Sequence, residues 1–275
     1  MPSFSHSSQF VSRPKMRSAF RMAIGKSLFT LKRYLHWAKN WKNYAREHSS
    51  YLLPHIVSTH KTPLIRNLGK DSMPLQRNKI TNFSLALPHL NKIVLHPGET
   101  FSFWLLVGKP TKKKGYIEGM VLHNGECRPG IGGGLCQISN LIYWMTLHAP
   151  LTVTERWRHN YDVFPDSERS QPFGSGATVV YNYVDLQIRN NTQDKYQLVL
   201  EMDETFLSGQ WRSSSEQHFL YEIYECEHQI LSHWWGGYTR KNTLRRKITD
   251  PDGNPVGDEF VCANEAIMMY EPLLT

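Results

Sequence analysis

The segment Gly132-Gly133-Gly134-Leu135-Cys136-Gln137 constrains this chain more than any other. Three glycines stop at a cysteine, and the cysteine opens an apolar run from Ile138 to Met145. Glycine reaches positive φ without steric penalty and lets backbone approach closely. A helix beginning here would hold Cys136 in its first turn, where unpaired N–H groups and the helix dipole favour a thiolate. The glycine turn could also gather N–H groups into an anion-binding nest. This pattern fits a nucleophilic sulfur beside an oxyanion site. It fits equally a tight turn before an inert, buried cysteine, since a free thiol commonly behaves as a small hydrophobe.

A nucleophilic thiol needs a base. His159 lies 23 residues beyond Cys136, at the end of an expected strand. Its imidazole would take the thiol proton and return one to a leaving group, as in papain-like hydrolases and acyltransferases. Asp185, on the following strand, is the candidate to orient the ring, with Asp162 a weaker choice because it is so near His159 in sequence. Gly132, Gly133 and Gly134, with Gln137, would supply the oxyanion donors. The rival reading is a Cys2His2 metal set of His123, Cys127, Cys136 and His159, whose spacings match no zinc pattern. His159 could also simply end a strand in solvent, with Asp185 closing a turn. There is no P-loop, dinucleotide fingerprint, HExxH or GxSxG, so no cofactor is expected.

The charge is lopsided. Of 32 Lys/Arg and 24 Asp/Glu, residues 1–50 hold ten bases and one acid, Glu47. The arm therefore carries +9 and the remainder −1. A body without a basic face argues against nucleic acid as a partner. No run approaches the roughly 20 apolar residues of a membrane span. No signal-peptide core is evident either, because Arg17, Arg21, Lys26, Lys32 and Arg33 interrupt the apolar residues. A cytoplasmic protein, with contact at the inner membrane face as an option, is expected; a mitochondrial transit peptide is the minor alternative. Four cysteines without close paired spacing do not form a disulfide framework.

From Met16 to Arg46, Phe20, Ile24, Leu28, Leu31, Leu35, Ala38 and Ala45 recur at helical spacing among basic residues. Such a helix either packs on the body or lies on an anionic membrane. Residues 51–77, with Pro54, Pro63 and Pro74, read as an irregular connector. A short helix is expected over 78–87, stopped or kinked by Pro88. A Pro97-Gly98 turn precedes a strand alternating Phe101, Phe103 and Leu105. Further strands are expected at 116–122, 151–157, 178–188, 196–202, 205–211 and 219–224. Asn124-Gly125 is a hairpin signal, and Asp250-Pro251-Asp252-Gly253 a turn linking two more strands. The fold class is α+β: a basic N-terminal helix, one central helix after the Gly-rich turn, and mostly antiparallel sheet. The division is an amphipathic arm (1–50), a connector (51–77), a core (78–212) and a β-rich C-terminal extension (213–275).

Several blocks carry a resemblance. Pro97-Gly98-Glu99-Thr100-Phe101-Ser102-Phe103 resembles the PGExFSF motif of the VanW family. Gly115-Tyr116 through Asn124-Gly125 is similar to that family's next block. The glycine–cysteine segment through Ser139 resembles its GGGxCQxS signature. Glu155 to His159 is similar to its ERxxH block, and Asp185 to Thr192 to its DLKxRNxT block. Order and spacing agree from about residue 78 to 212. One block departs: Gly174-Ser175-Gly176-Ala177-Thr178-Val179 has Gly176 where the family places Asp.

The resemblance implies a bacterial protein linked to the cell envelope or to glycopeptide resistance, and it draws attention to Cys136 and His159. Two functions remain open. One is Cys136-dependent acyl transfer or peptide hydrolysis on a peptidoglycan-type peptide or precursor, with His159 as base and Asp185 as orienter. The other is a non-catalytic module that holds a peptide, a glycan or a cell-wall partner protein.

Overall fold

The computed structural model describes residues 18–66, 73–123, 125–164 and 171–272. A stretch without acid or proline forms α1 (Ala19–Lys39), capped by Ser18, whose side chain accepts the Arg21 N–H at 3.4 Å. The expected helix is therefore shorter than 16–46: Asn40 closes it and Trp41–Asn43 forms a 3₁₀ turn. Residues 1–17 lie outside the described residues. The chain continues through β1 (Glu47–His48), β2 (His55–Pro63), α2 (Met73–Leu90), β3 (Ile93–Leu95), β4 (Thr100–Ser102) and α3 (Phe103–Val107). Next come β5 (Glu118–His123), β6 (Glu126–Ile131), α4 (Cys136–Leu147), β7 (Thr152–Glu155), β8 (Tyr161–Asp162) and β9 (Gln187–Arg189). Then β10 (Tyr196–Met202), β11 (Phe206–Ser213), β12 (Leu220–Ser232), β13 (Tyr238–Thr249) and β14 (Pro255–Met268) complete it. The class is α+β, with almost every pairing antiparallel.

The central sheet runs β1-β3-β10-β11-β2. Its second half, Tyr196 to Ser213, is a hairpin in full register, and Lys92 N–H closes on Leu198 O beside it. Helix α4 lies across β11 and β2. There the Ser58 hydroxyl donates to Met145 O at 2.9 Å and the Trp211 indole to Thr146 Oγ1 at 3.0 Å. Helix α2 covers β10 and β5. Phe83, Phe101, Phe103, Tyr143 and Trp211 are fully buried in one cluster between these layers. Each such side chain contributes about 1.5–3 kcal/mol.

Three expectations give way to tertiary context. Residues 55–63, read as connector, form β2, an edge strand along the whole of β11. Edge strands carry polar residues and Pro on their open side, so they lack a clean alternation. The strand expected to run through Phe103 and Leu105 stops at Ser102. That side chain caps α3 by accepting the Leu105 N–H at 3.3 Å. The strand expected over 178–188 is mostly turn, with isolated bridges at Thr178 and Val180–Val184 before β9.

The helix expected over 78–87 runs from 73 to 90, with Pro88 in its last turn. In the C-terminal region β12, β13 and β14 form a long antiparallel ribbon whose β13–β14 turn is the expected Asp250–Gly253. Strand β8 adds to β14 in parallel, tying the ribbon to the core.

Candidate functional site

The β5–β6 hairpin feeds the glycine loop. Gly132 has φ 73° and Gly134 φ 95°, so both need the left-handed backbone that the sequence suggested. The N–H groups, however, do not form an open nest. Gly132 donates to Ile117 O at 3.0 Å, Gly133 to Gly130 O at 2.9 Å and Gly134 to Met120 O at 2.9 Å. Asn82, fully buried on α2, clamps the loop from behind. Its amide nitrogen donates to Ile117 O and Gly133 O, and its oxygen accepts the Ile117 N–H. The loop is thus a packing joint, and its three glycine donors are already committed to backbone carbonyls.

Cys136 is the first residue of α4, as the sequence implied. Its thiol donates to Val179 O at 3.5 Å. Burial pushes the thiol pKa up, and the Val179 hydrogen bond only partly opposes it. His159 is half-buried just before β8, where the neighbouring Asn160 carbonyl accepts the Ile267 N–H of β14. Burial, with the Arg158 guanidinium adding to it, lowers its pKa to about 4, so the ring is neutral at physiological pH. Among the described residues no hydrogen bond joins His159 to Cys136 or to Asp185. Gln137 turns away and donates to Pro63 O at 2.7 Å. Among the described residues no three His, Cys, Asp or Glu side chains converge as a metal site requires.

Asp185 is fully buried and builds a helix start. Its carboxylate accepts the Ser102 hydroxyl at 2.6 Å and the Trp104 and Leu186 N–H groups at 3.0 Å. Burial raises its pKa to about 6 against those hydrogen bonds. Directly above it, Glu155 receives both guanidinium nitrogens of Arg33, at 2.6 and 2.5 Å, together with the Asp185 N–H and the Gln187 amide. Arg33 also donates to Asn182 O at 3.3 Å. The ERxxH-like and DLKxRNxT-like blocks therefore meet in one polar clamp that seats α1 on the body.

The Gly174–Val179 block is clamped from the other side. Arg156 donates to Gly176 O at 2.9 Å, to Gly174 O, and to Asn264 Oδ1 of the ribbon at 3.1 Å. On α4, Asn140 Oδ1 accepts the Ala177 N–H at 2.7 Å, and the Ser139 hydroxyl donates to Ala177 O at 2.7 Å. A Cβ on Gly176 would meet Asn140 Oδ1 at 2.8 Å. The Asn140 side chain occupies the space that an acid at position 176 would need.

A polar pocket of about 500 Å³ opens between the end of α1 and the β4-β9-β7 sheet. Arg33, His36, Tyr44, Glu155, Gln187 and Arg189 line it. Arg33 is neutralised by Glu155, whereas the exposed Arg189 guanidinium has no ion-pair partner among the described residues. Sequence reasoning singled out none of Arg33, Ser102, Asn140 or Arg189 for such roles. Glu155 and Arg156 were visible in the block that ends at His159, but that block drew attention to the histidine. Arg33 carries no local signal, because its partner is 122 residues away.

Fold and site together define an α+β protein whose sequence blocks are buried polar clamps around a single glycine–cysteine joint. The profile described as "VanW like protein" matches residues 78–212. The chain is 31% identical over 227 residues to the vancomycin B-type resistance protein VanW of Enterococcus faecalis, covering 82% of each. It is 32% identical over 144 residues to the uncharacterized protein YoaR of Bacillus subtilis, 51% of this chain and 44% of that one. No solved structure matches. The chain belongs to the VanW family.

Proposed function

We propose that this chain serves glycopeptide resistance as a non-catalytic binding module that holds a peptidoglycan-type peptide in the pocket beside α1. The observation that carries this reading is how the cysteine is held: its thiol donates to Val179 O, and His159 does not bond to it. Three further features agree. Burial raises the thiol pKa, where a nucleophile needs it lowered. The glycine N–H groups already have partners. Asp185 orients α3 rather than an imidazole. The pocket offers the exposed Arg189 guanidinium for a terminal carboxylate.

Two measurements test this. Iodoacetamide at neutral pH should label exposed Cys127 before Cys136. Titration calorimetry with a stem pentapeptide should show binding that Arg189→Ala removes and Cys136→Ala leaves intact. Fastest labelling at Cys136, slowed by His159→Ala, would instead favour Cys136-dependent acyl transfer or hydrolysis.

A further inference from the structure

Helix α1 has two faces with opposite fates. Trp37, 5% exposed, and Arg33 seat it on the body, and the Tyr34 hydroxyl meets that of Tyr181 at 2.5 Å. Phe20 (77% exposed), Ile24, Leu28 (54%), Leu31 and Leu35 (61%) touch water instead. At 100° per residue these five fall within about 80° of the helix circumference. Trp37 and Arg33 lie roughly 140–180° from the centre of that stripe. The sequence periodicity that would ordinarily mark a core-facing stripe here marks the face turned away from the core.

We infer that this outward face of α1 is a docking surface for an anionic lipid bilayer, independently of what the pocket binds. Charge selects this occupant. Residues 18–46 contain no acid, and Arg21, Lys32 and Lys39 fall along one border of the apolar stripe, where they can reach lipid phosphates while the apolar residues enter the acyl boundary. A second copy would bring together two basic helices with no acid on either to offset the repulsion, which opposes self-association. Trp41, half-exposed just beyond the helix with the Arg46 guanidinium 3.9 Å from its ring centre, adds an aromatic residue of the kind that favours the headgroup layer. No helix among the described residues is long and apolar enough to cross a membrane, so α1 would lie in the plane of the interface. The Arg33–Glu155 pair would hold the body at a set angle to it.

The test is vesicle sedimentation of the full chain. It should pellet with vesicles containing phosphatidylglycerol, pellet far less with pure phosphatidylcholine, and be released by salt. Two variants probe the face without touching the seat: Leu28→Glu/Leu31→Glu, and Arg21→Glu/Lys32→Glu/Lys39→Glu. All five side chains are exposed, so the melting transition should stay put, while the vesicle partition coefficient should fall roughly tenfold or more in each. Sedimentation unchanged in both variants, or equal on neutral and anionic vesicles, overturns the inference. So does an α1-dependent dimer on size exclusion that Leu28→Glu/Leu31→Glu dissolves while vesicles fail to bind, because that assigns the stripe to a second copy.

Discussion

Gly119 and Gly133 meet backbone against backbone. A Cβ on Gly133 would lie 2.2 Å from the carbonyl of Gly119, and one on Gly119 would lie 2.3 Å from the carbonyl oxygen of Gly133. Neither residue has positive φ, so the requirement is space and not left-handed backbone. Because the obstacle is backbone on both sides, no rotamer change relieves it. Gly133→Ala and Gly119→Ala should each destabilise by about 2–4 kcal/mol in urea unfolding. The double variant should cost less than the sum, since both methyl groups force apart the same joint. Gly25→Ala, on exposed α1 with open space around it, should instead stabilise by about 0.5–1 kcal/mol. A silent Gly133→Ala would show that the loop is not the packing joint described.

Asp185 and His159 should oppose each other in pH-dependent stability. Burial lifts Asp185 from 3.8 to about 6. The folded state therefore binds its proton more tightly than the unfolded state. The stabilisation is full below about pH 4 and is lost as pH rises through about 6. Burial lowers His159 from 6.5 to about 4. Its contribution is full above 6.5 and is lost as pH falls through about 4. Each effect is about 3 kcal/mol in order of magnitude. Across pH 4–6 the two largely cancel. Relative to wild type, Asp185→Asn should gain stability as pH rises through this window, and His159→Gln should lose it. Urea midpoints at several pH values measure both difference curves. A difference curve for Asp185→Asn that is flat in pH would contradict the buried-carboxyl account.

Restoring the family's acid should expose what Asn140 does. In Gly176→Asp the new Cβ must displace Asn140 Oδ1, which breaks its bond with the Ala177 N–H and leaves that donor unpaired. The cost should be about 1–3 kcal/mol. In an Asn140→Ala background the same substitution should cost much less, because the space is already vacant and the new carboxylate can approach the Ala177 N–H. A double-mutant cycle measures the coupling. Additive effects would mean that the two positions do not share this space.

The chain determined by itself whatever rests on local pattern. The strand expected over Tyr196 to Met202 is β10 to the residue, and the apolar run after Cys136 marked α4. The Asp250–Gly253 turn followed from its residue types, and positive φ at Gly132 and Gly134 followed from the glycine run. The ordered motifs were enough to indicate the family. Tertiary structure alone decided where each hydrogen-bonding group is used. The Cys136 thiol faces a backbone carbonyl 43 residues away, the Ser102 hydroxyl an acid 83 residues away, and the glycine donors face carbonyls that any residue could supply. Backbone carbonyls are the same at every position, so composition cannot say which one a donor will find. Periodicity likewise reports that α1 has an apolar face but not which way it turns. That depends on Arg33 meeting Glu155 across 122 residues, a contact that exists only once the sheet has brought them together.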